Sequence, residues 1–459
     1  MNKKLLYLFT FLVLSTHVAL IAKDEPCNTV TVQKNQSTNS KPDQATIIPK
    51  QEPKTIPTLT IMDLTIPKAI EMGYQYSNSI MESECDIKSA NYIAKSALSG
   101  YFPQITAETS EQFVEHKEGL KPEVNLGVSQ LLYSFGGPLE QYKINKKDVS
   151  IAKYQKEIAT DLVRNQVETS FLRCWVTEKK IAFIKALNKS AIEQFEKSRE
   201  AYKVGLISKN QFMQAQATYE KNIADVKSYE DQLISIRKTF EYYIGTEIYS
   251  QPNTNVNLMW DKDNPLPKLE SFKTYQTKAL ENRKELKAKQ KEIEKAKLQS
   301  KYYINQYLPS VSVLGNQTFT KQSAFSPVNY FGNAGVSLNW NIFDGLANKH
   351  LQSAAKAQKA KAILEKDDLH DDITEEVQKA YYQLNILLKE LEAKNAELAQ
   401  AKNQFLLRNE EFTVGLISKV DFEAAKTSWE KAQFDWLELR VAVEIKYMDL
   451  NFACGYPKN

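Results

Sequence analysis

Val204-Gly205-Leu206-Ile207-Ser208-Lys209 returns unchanged 210 positions later as Val414-Gly415-Leu416-Ile417-Ser418-Lys419. The likeness continues at the same offset, with Tyr202 against Phe412, Phe212 against Phe422, Ala215 against Ala425, and Tyr219-Glu220-Lys221 against Trp429-Glu430-Lys431. This is an internal two-fold sequence repeat, and a repeat has to be settled before a fold is assigned. Each hexapeptide reads as the tip of a helical hairpin. Gly205 and Gly415 suit the left-handed residue that closes a helix. Ser208 and Ser418 suit the cap of the next helix, with Gln211 and Asp421 in capping-box register. Val, Leu and Ile between stop and start leave apolar side chains on a very short turn. One reading is simply an efficient turn between antiparallel helices; the other is that an apolar tip kept in two copies docks something.

The arms of both hairpins are long. From Leu139 to Gln251 there is no proline and only Gly205 and Gly245 as glycines, and from Leu346 to Cys454 there is no proline and only Gly415. Pro138 stands where a helix favours its first-turn proline. An uninterrupted helix from there to Tyr202 would extend roughly 95 Å at 1.5 Å per residue. A coiled coil uses such a helix. In the second hairpin Ile373, Val377, Ala380, Leu384, Leu387, Leu391, Leu398, Ala401 and Phe405 step by fours, threes and one seven, a heptad seam that predicts left-handed supercoiling.

Before each hairpin the period changes to two. Val124, Leu126, Val128, Gln130 and Leu132 alternate with Asn125, Gly127, Ser129 and Leu131, and Ala334, Val336, Leu338, Trp340 and Ile342 alternate with Asn333, Gly335, Ser337, Asn339 and Asn341. Alternation of this kind predicts strands with one apolar face. Poorer partner strands precede them, the first carrying Glu108 and Glu111, the second Val311, Val313 and Phe319. Strands of about ten residues suit a membrane β-barrel with a wet interior. Open edges cannot exist in lipid, and the smallest such barrels have about eight strands. Four spanning strands therefore require several chains to share one barrel. The alternative is a small periplasmic sheet packed on the helices.

The 459 residues are 42% hydrophobic and 10% aromatic, and 60 basic against 56 acidic residues leave a net charge of +4. That balance argues against a nucleic-acid binder, and the Lys/Glu-rich run over 283–301 reads as a solvated helix face. Lys3-Lys4 followed by the apolar stretch 5–21 resembles a secretory signal peptide over 1–22. Residues 23–60, with prolines at 26, 42, 49, 53 and 57, read as a flexible leader. The first repeat then occupies 61–249: a helix from Pro67 to about Gly100, strands at about 104–115 and 122–133 joined by a turn at 116–122, and a hairpin with its tip at 204–208. A linker follows at 250–268. The second repeat occupies 269–455, with a helix over 269–305, strands at about 310–321 and 330–342, and a tip at 414–418; 456–459 is a tail. Cys27, Cys85, Cys174 and Cys454 are scattered without metal-ligand spacing, and no pairing can be deduced.

No enzyme signature is present. His116, His350 and His370 lie far apart, with no metal-ligand pattern, no Ser/His/Asp arrangement and no phosphate loop; no cofactor and no metal are expected. The acidic run 367–372 falls mid-helix and reads as a solvated or tunnel-facing surface.

In order and in duplicate, these segments resemble the TolC family of outer-membrane efflux proteins. The matching words are Tyr101-Phe102-Pro103 and Tyr307-Leu308-Pro309 before the strands, Leu132-Tyr133-Ser134-Phe135-Gly136 and Ile342-Phe343-Asp344-Gly345 after them, and the two Val-Gly-Leu-Ile-Ser tips. The resemblance covers about 61–455. It implies a mainly α fold with a small antiparallel β part: a homotrimeric, twelve-stranded β-barrel in the outer membrane, continued by a periplasmic α-helical coiled-coil barrel. It further implies the passive exit duct of a tripartite efflux or type I secretion system, with a periplasmic adaptor and an inner-membrane transporter as partners. The tips Val204, Gly205, Leu206, Ile207, Ser208, Val414, Gly415, Leu416, Ile417 and Ser418 would then meet the adaptor, and Asp421 with Gln211 would line the periplasmic aperture. Val124, Leu126, Val128, Val336, Leu338, Trp340 and Ile342 would face lipid. Where a well-known member holds its closed tips with Tyr and Arg, this chain has Phe412 and Ile417. A non-conducting periplasmic coiled-coil tether is the alternative function.

Overall fold

The computed structural model describes residues 60–112, 121–250, 254–321 and 328–456. The expected signal peptide at 1–22, all but the last residue of the leader at 23–60, most of the turn at 116–122, and the tail past Tyr456 lie outside the described residues.

Strand β1 (Thr60–Thr65) leads into helices α1 (Ile66–Tyr76) and α2 (Asn78–Ala97) and a 3-10 turn (Leu98–Tyr101). Strands β2 (Gln104–Gln112) and β3 (Lys121–Ser134) follow, then α3 (Pro138–Lys203) and α4 (Lys209–Ile244). The chain continues through β4 (Thr254–Met259), α5 (Phe272–Asn282), α6 (Lys284–Asn305), β5 (Ser310–Lys321) and β6 (Val328–Asn339), and ends in α7 (Ala347–Thr413) and α8 (Lys419–Ala453). The fold is mainly helical with a small antiparallel sheet of order β2-β3-β5-β6. Helices α3 and α7 have 66 and 67 residues, each about 100 Å long.

Several expectations need correction. The linker at 250–268 contains a strand: β4 pairs in parallel with β1, from Thr60 opposite Thr254 to Thr65 opposite Met259. Val256, Leu258 and Leu64 are buried while Asn255 and Asn257 are not. The period-two signal is real but only six residues long, and Pro252, Pro265 and Pro267 around it suggest a loop. The helix expected from Pro67 to Gly100 breaks at Ser77, whose ψ is 119°. That expected over 269–305 breaks at Arg283, with ψ 120°. Arg283 turns inward there to reach Glu376 (3.0 Å), Glu285 (3.1 Å) and the Ala453 carbonyl (3.3 Å). Strand β6 stops at Asn339, so Trp340 and Ile342 stand past its end. The Trp340 indole N–H donates to the Tyr307 carbonyl at 3.0 Å, and Gly345 and Leu346, both left-handed (φ 67° and 69°), swing the chain into α7.

The Lys/Glu-rich run over 283–301 is also more than a solvated face. As α6 it lies between α3 and α7, with Lys147–Glu294 and Lys295–Asp148 (2.7 Å each) on one side and Lys289–Glu365 (3.1 Å) on the other. Such half-exposed pairs contribute under about 1 kcal/mol each; they set register more than stability.

Two apolar clusters hold the helices. In one, Val167, Phe171 and Leu172 of α3 and Phe240 and Ile244 of α4 pack with Leu64, Val256 and Leu258 of the parallel strand pair. In the other, Ile373, Val377, Leu384 and Leu391 of α7 meet Tyr275 and Ala279 of α5 and Val443 and Leu450 of α8. The heptad seam is thus the buried face of α7.

Candidate functional site

Both hairpins end in the same geometry. The Leu206 N–H donates to the Ala201 carbonyl at 2.8 Å and the Gly205 N–H to Tyr202 at 3.1 Å; in the second hairpin Leu416 reaches Glu411 at 2.8 Å and Gly415 reaches Phe412 at 3.1 Å. This doubled bonding is a Schellman stop. It needs a left-handed residue, which Gly205 (φ 76°) and Gly415 (φ 78°) supply. No neighbour lies within 4 Å of where a Cβ would stand on either, so the backbone angle alone requires glycine.

The restarting caps differ. At the first tip Ser208 Oγ accepts the Gln211 N–H (3.3 Å) and Gln211 Oε1 accepts the Ser208 N–H (2.8 Å), a complete capping box. At the second, Ser418 Oγ accepts the Asp421 N–H (3.2 Å) and donates its hydroxyl proton to Asp421 Oδ2 (2.7 Å). Asp421 therefore has a partner on its own helix, yet its side chain stays exposed, as does Gln211. Leu206 and Leu416 are 78% and 76% exposed, and Val204 and Val414 stand out beside them, while Ile207 and Ile417 turn half inward.

Behind each tip four rings interleave. Tyr202 stacks on Phe212 at 4.8 Å, Phe212 contacts Phe195 at 6.0 Å, and Phe195 stacks on Tyr219 at 4.6 Å. In the second hairpin Phe412, Phe422, Phe405 and Trp429 repeat the order at 4.8, 5.9 and 4.7 Å. The rings alternate between outgoing and returning helix, so each ladder clamps the two helices of its hairpin together. Phe405 is the last residue of the heptad seam and Phe195 its counterpart 210 positions earlier, each one heptad before Phe412 or Tyr202. Each stack contributes about 0.5–1.5 kcal/mol beyond its area. Phe195→Ala or Phe405→Ala, losing two ring contacts, should speed amide hydrogen exchange in the last turns of its own hairpin about tenfold or more. Unchanged protection there would make the rings bystanders.

At the sheet, cross-strand register sorts the side chains. Val124 lies opposite Thr109 and Phe319, Leu126 opposite Ala107 and Gln317, and Val128 opposite Ile105 and Gly315. Val313 lies opposite Val336, and Val311 opposite Leu338. Val124, Leu126, Val128, Val336 and Leu338 thus share one largely apolar face, with Thr109, Gln130 and Gln317 as its polar exceptions. The other face carries Thr106, Glu108, Asn125, Ser129, Asn316, Thr318, Asn333 and Ser337, with Leu131, Leu314 and Phe331 as apolar exceptions. The Thr318 hydroxyl bonds Asn125 Oδ1 across strands on that face. A bulge between Leu131 and Tyr133 brings Tyr133 opposite Val311, on the apolar side. Among the described residues strands β2 and β6 each have one neighbour only, so both edges of the sheet are open there.

Among the described residues no helix is long and apolar enough to cross a membrane, and no group of three or more His, Cys, Asp or Glu is placed to hold a metal ion. Cys174 is buried, and its thiol is pushed up to about 11, chiefly by desolvation.

Residues 276–456 match the family described as outer membrane efflux protein. No curated protein matches the sequence significantly. Among solved structures, the chain is similar to the Campylobacter jejuni CmeC outer membrane channel, with a TM-score of 0.70 and 16% identity over 92% of this chain and 94% of that one. It is similar to CusC, whose structures concern folding and transmembrane channel formation, with a TM-score of 0.68 and 14% identity over 90% and 99%. The open state of the Neisseria gonorrhoeae MtrE outer membrane channel gives 0.67 and 15% over 91% and 97%. The likeness establishes the fold, and these relatives are channels, not enzymes.

Proposed function

We propose that this chain, whose residues 276–456 match the outer membrane efflux protein family, is one third of a trimeric outer-membrane channel. The observation that carries the reading is the four-stranded sheet with one apolar face, one polar face and two open edges. Lipid tolerates no open edge, and four strands fall short of the roughly eight that close the smallest membrane barrel. Joining the β2 edge of one copy to the β6 edge of the next gives twelve strands from three copies. The apolar face then meets lipid and the Asn/Ser/Thr face lines the lumen.

Helices α3 and α7 carry the conduit on through the periplasm, and the two hairpin tips form its mouth. The exposed Leu206 and Leu416 suit contact with a periplasmic adaptor joined to an inner-membrane transporter, while Asp421 and Gln211 stand where the mouth narrows. Conduction through such a duct is passive, as the family resemblance implies. The two structural repeats, at 61–249 and 269–455, each supply two strands and one hairpin.

Purified protein should run as a trimer in mild detergent and give discrete conductance steps in a planar bilayer. A monomer without conductance would instead favour the periplasmic tether.

A further inference from the structure

We propose that the two tips are docking sites of opposite electrostatic sign. The first suits a partner helical hairpin whose apolar crest is flanked by acidic side chains, and the second suits one flanked by basic side chains. This rests on the reading of the tips as docking ends. The two crests share the sequence Val-Gly-Leu-Ile, the same stop and nearly the same exposure, so apolar contact alone barely distinguishes them.

Their collars differ. Over 196–213 the basic Lys197, Arg199, Lys203 and Lys209 stand against Glu196 and Glu200; over the aligned 406–423 only Arg408 and Lys419 stand against Glu410, Glu411, Asp421 and Glu423. Pairing inside each collar does not level this. Arg199 binds Glu196 at 2.7 Å and Arg408 binds Glu411 at 2.8 Å, removing one charge of each sign from each tip. Lys197, Lys203 and Lys209 then outnumber Glu200 at the first tip, and Glu410, Asp421 and Glu423 outnumber Lys419 at the second. All of these are exposed except the half-buried Glu423.

The inversion comes from Leu407, Thr413, Asp421 and Glu423 standing where the first hairpin has Lys197, Lys203, Gln211 and Met213. These residues lie within about two helical turns of the crest, roughly 11 Å. That is close to the screening length of about 8 Å at physiological salt, so a docked partner feels them and salt weakens them. A partner made of identical copies therefore meets two unlike seats on each chain and has to present both signs.

The test uses the full chain in detergent, with a fluorophore at Gln214→Cys or Ala424→Cys, aligned exposed positions beside the two tips. The probes are two synthetic helical hairpins with a Val/Leu loop, one flanked by lysines and one by glutamates. At about 50 mM salt the Lys-flanked probe should bind the second tip about tenfold more tightly than the first, and the Glu-flanked probe the reverse, with the gap narrowing severalfold at about 0.5 M. Lys197→Glu with Lys203→Glu should switch the first tip to the Lys-flanked probe. Equal binding of either probe at both tips, or no binding by either, overturns the proposal. A chain that conducts without discriminating loses this inference alone; one that discriminates without conducting loses the channel reading alone.

Discussion

Leu126→Arg is expected to remove the proposed trimer from the outer membrane, whereas Ser129→Arg, three residues along the same strand, should leave it there. Leu126 sits near the middle of β3, a strand paired on both sides, with its side chain on the apolar face beside Val124 and Val128. An arginine at the lipid midplane costs about 2–4 kcal/mol. A trimer carries it three times, roughly 6–12 kcal/mol in all, comparable with the 5–15 kcal/mol that holds a typical protein folded. Ser129 pairs with Gln104 and Leu314 on the other face, where an arginine would project into water. It should change the conductance and ion preference of the pore, leaving insertion intact. The paired comparison is read from membrane fractionation and single-channel recording. Equal insertion of both variants would remove the lipid-facing assignment of Val124, Leu126 and Val128.

Much of this was legible because long, regular signals survive without tertiary information. The Gly205 and Gly415 stops, the Ser208 and Ser418 caps and the Ile373–Val377–Leu384–Leu391 seam each rest on local geometry or on a period sustained over many residues, and they reappear as Schellman bonds, caps and a buried face. What escaped depends on partners distant in sequence. Strand β4 has only Val256 and Leu258 to announce it, and its mate β1 is nearly two hundred residues earlier. Trp340 and Ile342 continue the alternation of β6 on paper, but the strand ends at Asn339 and the Trp340 indole bonds the Tyr307 carbonyl, far from it in sequence. Asp421 reads as a capping-box residue, yet its carboxylate accepts from the Ser418 hydroxyl, where Gln211 accepts from a backbone N–H. Arg440 carries no sequence signal at all, since an arginine on a charged helix reads as solvated.

Arg440→Ala should cost about 3–5 kcal/mol, the range for breaking a buried ion pair by removing one partner. Arg440 is 1% exposed and is the largest fully buried side chain among the described residues. Its guanidinium gives one N–H to Glu444 (2.8 Å), another to the Asn264 carbonyl (3.1 Å), and lies 5.5 Å from the Trp260 ring. Trp260 in turn meets Trp175 of α3 edge-on at 4.9 Å. One side chain thus fastens the segment between the two halves of the chain to α8, and through Trp260 to α3. Arg440→Lys should recover only part of the loss, because an ammonium cannot reproduce the planar fork that reaches both acceptors. Arg440→Met combined with Glu444→Leu should lie closer to wild type than Arg440→Ala does, since it removes both charges and leaves apolar volume. The unfolding midpoint in detergent ranks the variants, and hydrogen exchange in β1 and β4 locates the damage. If Arg440→Ala melts with wild type and β4 stays protected, the segment is held by Val256 and Leu258 alone, and the arginine is an occupant of the core rather than its fastener.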